Sequence, residues 1–413
     1  MSTSSTWHVG CRVCDWRGAP GLYPHGCPIC LERGEVQAVV VEPPRQPNPN
    51  PRTGTGRGIW NRWGNWLPAV PAEHRRSLGE GDSPLLRVDW LSEVTGCAEV
   101  YLKMEATNPT AAHKDRFHAV STAVAASLGM RGVFSSSTGN HGLSMTAYAR
   151  LHGLESVVIS NPRMPALLQR AIRFAGGVPF MVDSEVGAAI AADLVATGEW
   201  LPASTLWPMP IGSPYGAEGY KTIAWEIAEE LATPPAWILI PTAGADLLTG
   251  IWLGYEDLAR MGTIEHLPRL CACQPAGAAP LVQTLRSGKT TIERLDHAYS
   301  IALSIADPIT GQIAMDALAA TDGDAVAVSD AEILAMGELL ARHGLLVEPS
   351  SAASVASLSH LAERHPEMRD RPVVCIITSS ALKWLDDYGA AAAGAGIPVD
   401  TLDDAWGVID ARS

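Results

Sequence analysis

A lysine stands in a short polar segment whose residue types can support covalent chemistry. The segment reads NPTAAHKDR, residues 108–116, and its Lys114 is followed directly by an aspartate and an arginine. One interpretation is an exposed helix start with an ordinary lysine, which has a pKa of about 10.4 and is a poor nucleophile while protonated. The other is a lysine in a cleft, where loss of water favours the neutral amine that can form an imine.

Two further segments combine polar groups with glycine before a helix. SSSTGNHG, residues 135–142, carries hydroxyls, an amide and an imidazole. Such a turn can bind a carboxylate through its N–H and hydroxyl groups, or it can be a polar helix cap formed by Asn140 or Ser144. PTAGADLLTG, residues 241–250, joins a strand to a helix where phosphates are often bound, but it contains only two glycines.

The cysteines near the start of the chain have the spacing of metal ligands. Four of the eight cysteines form two CxxC pairs separated by twelve residues. In a reducing compartment such pairs more often bind metal than form disulfides, and two CxxC turns can hold zinc tetrahedrally. The alternative is a ribbon that has kept its thiols but binds no metal. The candidate zinc ligands are Cys11, Cys14, Cys27 and Cys30.

The elements that must position these groups alternate between strands and helices from about residue 78 onward. Apolar runs such as WILIP and VVCII are typical of buried strands, and DLLTGIWLGYEDLAR has a helical pattern. The alternation predicts an α/β fold with mainly parallel sheets, in which ligands bind at the carboxyl ends of the strands. SSSTGNHG, PTAGADLLTG and ITSSALK follow such strand ends.

Composition changes along the chain predict its domain boundaries. The CxxC unit is followed by a Pro/Gly-rich stretch and three tryptophans, which are predicted to be a linker and a docking segment. The predicted parts are residues 1–42 for the ribbon-like unit, 43–77 for the linker and docking segment, 78–388 for a two-lobed catalytic domain and 389–413 for a C-terminal tail.

The net charge and the hydropathy of the chain argue against nucleic acid and membranes as partners. The 413-residue chain has a formal net charge of -14, which disfavours binding to nucleic acid or anionic membranes. It contains no apolar run of about 18 residues that would span a membrane, and its N-terminus lacks the pattern of a signal peptide. We therefore expect a cytoplasmic protein with a small-molecule substrate and with neither nucleic acid nor membrane as a partner.

Several segments resemble, in the same order, pyridoxal-phosphate enzymes of fold type II, the group of tryptophan synthase β, threonine synthase and serine dehydratase. The resemblance covers about residues 7–388 and is strongest to threonine synthases, in which a CxxC ribbon also occurs. It implies a two-lobed fold with twisted sheets, pyridoxal 5'-phosphate as cofactor, an amino-acid substrate and a homodimer. The segments that carry it are SLGEGDSPLLRV, VYLKMEATNPTAAHKDR, SSSTGNHGLSMTAYARLHGL, YGAEGYKTIAWEIAEEL and VEPSSAASVASL.

The same resemblance implies a role for each matching residue. Lys114 matches the lysine that holds the cofactor as an aldimine and later removes the α-proton, and Thr378 matches the hydroxyl residue at the pyridine nitrogen. Asn140 matches the asparagine that binds the phenolic oxygen. The loop that binds the amino-acid carboxylate matches Ser137, Thr138, Asn140 and His141. The loop that binds the phosphate matches Ala243, Gly244, Ala245, Asp246 and Leu247.

Departures from the threonine synthase pattern predict a different substrate. The phosphate loop has lost most of its glycines, and alanine at a position with positive φ would cost roughly 1–2 kcal/mol, which predicts weaker cofactor retention. Asp246 is expected to cap the following helix and to turn away from the phosphate. Gly216 replaces the arginine that would bind the phosphate of O-phosphohomoserine, while Pro210 and Leu247 replace asparagines. Since glycine cannot replace an arginine fork, O-phosphohomoserine is predicted not to be the substrate.

The sequence therefore predicts an enzyme that catalyses β- or γ-elimination or replacement on an amino acid through Lys114. One alternative is an ammonia-lyase of the serine/threonine dehydratase kind. A second is a non-catalytic paralogue that has lost its cofactor, and a third is a binding module built on the ribbon. His113, next to the lysine, is interpreted either as a proton shuttle or as a packed imidazole.

Overall fold

The structure is a computed structural model that describes residues 7–42, 52–204, 213–231, 233–392 and 397–410. The strands are β1 (Val9–Cys11), β2 (Arg17–Gly18), β3 (Val39–Val41), β4 (Leu85–Arg87), β5 (Glu99–Lys103), β6 (Gly132–Ser136), β7 (Glu155–Ser160), β8 (Val178–Met181), β9 (Trp200–Pro202), β10 (Trp237–Pro241), β11 (Arg269–Pro275), β12 (Asp324–Val328) and β13 (Pro372–Ile376).

Helices connect most of these strands, together with short 3-10 turns. They are α1 (Pro28–Glu32), α2 (Ile59–Trp63), α3 (Asp89–Thr95), α4 (Lys114–Ser127), α5 (Asn140–Leu151), α6 (Ala166–Phe174), α7 (Ser184–Ala196), α8 (Pro214–Glu230), α9 (Asp246–Arg260), α10 (Pro280–Arg286), α11 (Ile313–Ala320), α12 (Asp330–Arg342), α13 (Pro349–Arg364) and α14 (Leu402–Asp410).

Two separate sheets form the two lobes of the main body. The larger has the order β12-β11-β10-β13-β5-β4 and is parallel except for its β4–β5 edge, and the smaller has the order β8-β7-β6-β9 and is parallel throughout. All five residues of β10 are buried, as expected for a strand covered by helices on both faces. The predicted α/β fold with mainly parallel sheets is confirmed.

The N-terminal unit is a small antiparallel sheet of order β2-β1-β3. Within the alternating run of residues 35–42, only Val39–Val41 pair as a strand. Arg12 fastens the unit to α9, since its guanidinium donates to both carboxylate oxygens of Glu256 at 2.9 Å and lies 4.4 Å from the ring centre of Trp252.

The central helix α8 packs closely against α4, and glycines permit the approach. A Cβ at Gly219 would lie 2.0 Å from the carbonyl oxygen of Arg116, and a Cβ at Gly216 would lie 2.1 Å from the Phe117 ring. Trp60 and Trp63 of α2 are buried beside this helix pair, and Trp60 Nε1 donates to the Ala119 carbonyl at 3.1 Å. The first turn of α4, which carries Lys114, is thereby held against the core.

None of the helices in the described ranges is both long enough and apolar enough to cross a membrane.

Candidate functional site

The carboxyl ends of strands from both lobes open onto one cavity of about 410 Å³. The residues predicted to form the site all line it, namely Lys114, Ser137, Thr138, Asn140, His141, Ala243, Gly244, Ala245, Asp246, Leu247 and Thr378. These residues follow β6 and β10, lie at the start of α4, or follow β13, so the parallel topology gathers segments that are far apart in sequence.

The three consecutive residues Lys114, Asp115 and Arg116 have different environments. Lys114 lines the cavity, whereas Asp115 accepts hydrogen bonds from Ser144 Oγ at 2.5 Å and from the main-chain N–H of Thr110 at 2.6 Å. Asp115 thus links α4 to α5 and to the turn before the lysine. Its burial raises its pKa to about 6, although these hydrogen bonds oppose the shift.

Arg116 is fully buried and holds the start of α4 in the core. It donates to both carboxylate oxygens of Glu105 at 2.7 and 2.8 Å and to both oxygens of Glu226 at 2.7 Å. Bidentate pairs of this kind fix orientation as well as supplying energy. The charged motif therefore combines a lysine that lines the cavity with two structural anchors.

The Lys114 amine has no hydrogen-bond partner among the described residues, and it lies 5.6 Å from the centre of the Tyr220 ring. Desolvation lowers the pKa of this amine from 10.5 to about 8, and the negative charges of Asp246, Asp307 and Glu348 partly oppose the shift. A substantial neutral fraction therefore exists near neutral pH, which is the form that attacks a carbonyl carbon.

The SSSTGNHG turn is held rigid by its own hydroxyl groups. Ser137 Oγ accepts from the N–H groups of Gly139 at 3.0 Å and Gly142 at 3.2 Å, and any Cβ at Gly139 would lie 2.3 Å from Leu168 Cδ1. The helix α5 begins immediately afterwards at Asn140. Its N-terminus therefore adds a partial positive charge to this wall of the cavity.

Asn140 makes a contact that the sequence did not indicate. Its Nδ2 donates to Glu348 Oε2 at 2.7 Å, while the other carboxylate oxygen, Oε1, is buried without a partner among the described residues. Glu348 precedes α13 and lines the same cavity. Asp307 also lines the cavity, and loss of water around its carboxyl raises its pKa to about 6, despite the opposing charge of Lys114.

The loop between β10 and α9 provides the donors that a phosphate needs. Among the described residues, none accepts a hydrogen bond from the main-chain N–H groups of Ala243, Gly244, Ala245 or Leu247. These groups adjoin the N-terminus of α9, where an anion is stabilised. Ala245 has φ of 78°, in the left-handed region, so the loop adopts at alanine a conformation that favours glycine. The residues present fit a phosphate group.

The expectation that Asp246 caps α9 is wrong. The N-cap residue is Ala245, whose side chain makes no capping hydrogen bond, whereas Asp246 is the first helical residue. Its carboxylate lines the cavity and raises the pKa of Lys114 instead of turning away from the site. The shift of one residue in the helix boundary explains the difference.

Thr378 and His113 are connected at the opposite wall. Thr378 Oγ1 is 2.8 Å from Ser351 Oγ, and its carbonyl accepts from the main-chain N–H of His113 at 2.8 Å. The ring of His113 also places Nδ1 3.0 Å from this carbonyl and stacks on Tyr220 with ring centres 5.3 Å apart. These fixed contacts favour the interpretation of His113 as a packed imidazole.

A second histidine contact lies beneath the SSSTGNHG turn. His118, one helical turn beyond Lys114, places Nε2 3.0 Å from Nδ1 of His141. Neither His118 nor Glu348 was singled out from the sequence. The glutamate stands within VEPSSAAS, a segment that already carried the family resemblance, whereas the apolar helix pattern around His118 gave no indication of a contact across to α5.

The four N-terminal thiols come together in a separate cluster. Their sulfur atoms all lie within 4.8 Å of one another, with Cys11 and Cys30 3.7 Å apart and Cys14 and Cys27 3.4 Å apart. Zinc–sulfur bonds of about 2.3 Å in a tetrahedron place sulfurs about 3.8 Å apart. The N–H of Val13 lies 3.4 Å from Cys11 Sγ, as a donor to a metal-bound thiolate would. The thiols fit a zinc ion.

Comparison with known proteins adds a family match. A family model described as "Pyridoxal-phosphate dependent enzyme" matches residues 76–379. The threonine synthase of Methanocaldococcus jannaschii is 34% identical over 331 residues, which cover 79% of this chain and 80% of that protein. The threonine synthase of Mycobacterium bovis is 34% identical over 330 residues, covering 77% of this chain and 84% of that protein.

Solved structures of low sequence identity share the fold. A fungal L-serine ammonia-lyase from Rhizomucor miehei matches with a TM-score of 0.65 at 23% identity, covering 75% of this chain and 97% of that one. Maize serine racemase matches with a TM-score of 0.63 at 19% identity, covering 80% of this chain and 92% of that one. The resemblance and the two-lobed fold predicted from the sequence are confirmed by these matches.

Proposed function

Because the chain belongs to the pyridoxal-phosphate-dependent enzyme family, we propose that it uses Lys114 to carry out β- or γ-elimination or replacement on an amino acid. The observation that carries the proposal is that Lys114 and the loop of residues 243–247 line the same cavity. It contains a lysine amine without a hydrogen-bond partner among the described residues and, on the facing loop, main-chain N–H groups without acceptors there. The lysine amine suits covalent attachment of the cofactor's aldehyde, and the N–H groups suit binding of the cofactor's phosphate.

The residues that would hold pyridoxal 5'-phosphate come from four segments. Lys114 would bind it covalently, the N–H groups of residues 243–247 would bind its phosphate, Thr378 would bind the ring nitrogen and Asn140 the phenolic oxygen. When bound, this cofactor withdraws electrons from Cα of an attached amino acid. Asn140 is preoriented to contact the phenolic oxygen, because the hydrogen bond of 2.7 Å from its Nδ2 to Glu348 Oε2 already fixes its amide.

Lys114 is also placed to move a proton. With an amino acid bound, Nζ of Lys114 would lie in the cavity and could accept the α-proton. The pKa of about 8 allows it both to accept that proton and to return it near neutral pH. The carboxylates of Asp246, Asp307 and Glu348 stabilise the ammonium that results.

The N-terminus of α5 is proposed to bind the amino-acid carboxylate. Thr138 and His141 line the cavity there, and Ser137 keeps the turn in shape through the N–H groups of Gly139 and Gly142. The helix dipole and the turn hydroxyls favour an anion at this point. The amino acid would then be oriented with its carboxylate toward the small lobe.

The packing around Gly216 supports a substrate other than O-phosphohomoserine. A Cβ at this position would lie 2.1 Å from the Phe117 ring, so an arginine could not be accommodated unless this buried ring moved. Leu247, at the position where the resemblance to threonine synthases implies an asparagine, is buried and apolar. The replacement at Pro210 lies outside the described residues.

The N-terminal cysteine cluster is proposed to bind a structural zinc ion. Cys11, Cys14, Cys27 and Cys30 would be the ligands, and the unit they hold together is fastened to α9 through Arg12. No catalytic step is assigned to the metal.

The substrate proposal is tested by incubating the enzyme with pyridoxal phosphate and O-phospho-L-homoserine, L-serine or L-threonine in turn. Released phosphate, ammonia and keto acid are measured, with Lys114→Ala as the matched control. We expect no phosphate release from O-phospho-L-homoserine. Ammonia and keto acid from serine or threonine would assign the elimination reaction. Rapid, Lys114-dependent release of phosphate from O-phospho-L-homoserine would contradict the substrate proposal.

A further inference from the structure

A chain of three polar side chains runs from the interior of α4 to the cavity wall. Ser121 Oγ is 3.4 Å from Nδ1 of His118, and Nε2 of His118 is 3.0 Å from Nδ1 of His141. Ser121 and His118 are fully buried, whereas His141 lines the cavity. Only the last member of the chain can therefore contact a ligand.

Both imidazoles are neutral, which restricts the arrangement of their protons. Burial lowers the pKa of His118 and of His141 well below the usual value, and the charge of Lys114 adds to the effect. Both rings also make T-shaped contacts with the Phe117 ring, with centre-to-centre distances of 4.9 Å for His118 and 5.1 Å for His141. A neutral imidazole carries one N–H, so the short contact between the two rings holds a single proton.

Two arrangements of this proton are possible, and they give His141 opposite properties. If His118 donates from Nε2, then His141 must carry its own proton on Nε2 and is a donor toward the cavity. If His141 donates from Nδ1, its Nε2 is an acceptor. The two forms differ only in the positions of their protons.

Ser121 decides between the two arrangements. Among the described residues, the only partner of its hydroxyl is Nδ1 of His118. In the first arrangement this nitrogen is an acceptor and the buried hydroxyl donates to it. In the second arrangement Nδ1 carries a proton, so the hydroxyl proton has no described acceptor, and a buried unsatisfied donor is disfavoured.

We propose that His118 is a positioning residue which, with Ser121, holds the proton of His141 on Nε2, so that His141 donates a hydrogen bond to the carboxylate of the bound amino acid. The role in substrate binding rests on the proposed function. The contacts that set the tautomer involve only side chains of the protein and neither cofactor nor substrate.

The tautomer is measured by NMR of the full-length protein labelled with ¹⁵N in its histidine rings, without added cofactor. Spectra of His141→Gln assign the His141 resonances. We expect the Nε2-protonated form of His141 to exceed the Nδ1-protonated form by about tenfold or more. A predominantly Nδ1-protonated His141 in the unmodified protein overturns the proposal.

Variants separate the contact from a general effect on packing. His118→Met and Ser121→Ala should each bring the two forms of His141 closer to equal populations. His118→Gln should retain the Nε2-protonated form, because its amide nitrogen can replace the imidazole donor. Ser127→Ala is the matched control on the same helix, since Ser127 Oγ donates to the Val124 carbonyl, away from the pair. An unchanged tautomer in both His118→Met and Ser121→Ala overturns the proposal.

The ligand contact is tested with pyridoxal phosphate and two probes. L-serine should shift the Nε2 resonance of His141, and ethanolamine, which lacks the carboxylate, should leave it in place. An equal response to both probes, or to neither, overturns the carboxylate contact. The tautomer measurement needs no cofactor, so its result stands separately from any failure of the proposed function.

Discussion

The reaction of Lys114 with pyridoxal phosphate should have a pH dependence centred near pH 8. Burial lowers the pKa of this lysine from 10.5 to about 8. An amine with this pKa is about one-tenth neutral at pH 7 and about nine-tenths neutral at pH 9, whereas at a pKa of about 10.5 it would be neutral to only about 0.03% at pH 7. Burial thus increases the reactive fraction at pH 7 by roughly 300-fold.

The assay is the initial rate of cofactor capture by the cofactor-free protein as a function of pH. The adduct is trapped with borohydride, and the peptide that contains Lys114 is quantified by mass spectrometry. The rate should rise through a midpoint near pH 8 and level off above pH 9. A midpoint at or above pH 10 would refute the reasoning, because Lys114 would then behave as a solvated surface lysine.

Removing the charge of Asp246 tests how the carboxylates of the cavity affect the pKa of Lys114. The carboxylate of Asp246 favours the ammonium and so raises the pKa of Lys114. Asp246→Asn should therefore move the midpoint below that of the unmodified protein and increase the rate at pH 7, by at most about tenfold, since about one-tenth of the amine is already neutral. The control is Asp183→Asn, which also lines the cavity but keeps a side chain able to cap α7. A midpoint that stays in place or rises in Asp246→Asn would contradict this account.

Three further predictions concern stability and metal content. Arg116→Met should destabilise the protein by about 3–5 kcal/mol in urea unfolding, because it leaves the buried carboxylate of Glu105 without its ion-pair partner, whereas Arg131→Met at an exposed ion pair should cost much less; equal losses would refute the first prediction. Ala245→Gly should raise the free energy of unfolding by about 0.5–1 kcal/mol in the same measurement, because Ala245 has a φ of 78°. Ala243→Gly should not stabilise the protein, because Ala243 does not have a positive φ. Elemental analysis should find about one zinc per chain, and its retention in Cys14→Ser would refute the tetrathiolate site.

The architecture of the site followed from sequence because it depends on patterns that local physics enforces. Strand–helix alternation fixes a parallel sheet, and a parallel sheet brings the loops that follow its strands to one edge. The gathering of Lys114, His141, Thr378 and the 243–247 loop around one cavity is such a case. The four-cysteine cluster was predictable for a similar reason, since CxxC turns impose their own geometry.

What sequence reasoning did not give depends on single-residue boundaries and on contacts between elements. The cap of α9 falls on Ala245 instead of Asp246, a difference within the usual uncertainty of helix ends that nevertheless directs a carboxylate into the cavity. The contacts of His118 and Glu348 require the packing of α4 on α5 and of α13 on the site, which no local pattern encodes. Such tertiary contacts need the assembled structure.

The most direct test of the central claim is the visible absorption spectrum of the protein with pyridoxal phosphate, recorded beside Lys114→Ala and Lys383→Ala. Burial lowers the pKa of Lys383 to about 8 as well, but its amine donates to the Thr110 carbonyl at 2.8 Å and does not line the cavity. The account predicts the yellow band of lysine-bound cofactor in the unmodified protein and in Lys383→Ala, and its loss in Lys114→Ala. A colourless unmodified protein, or a band that persists in Lys114→Ala, would contradict it.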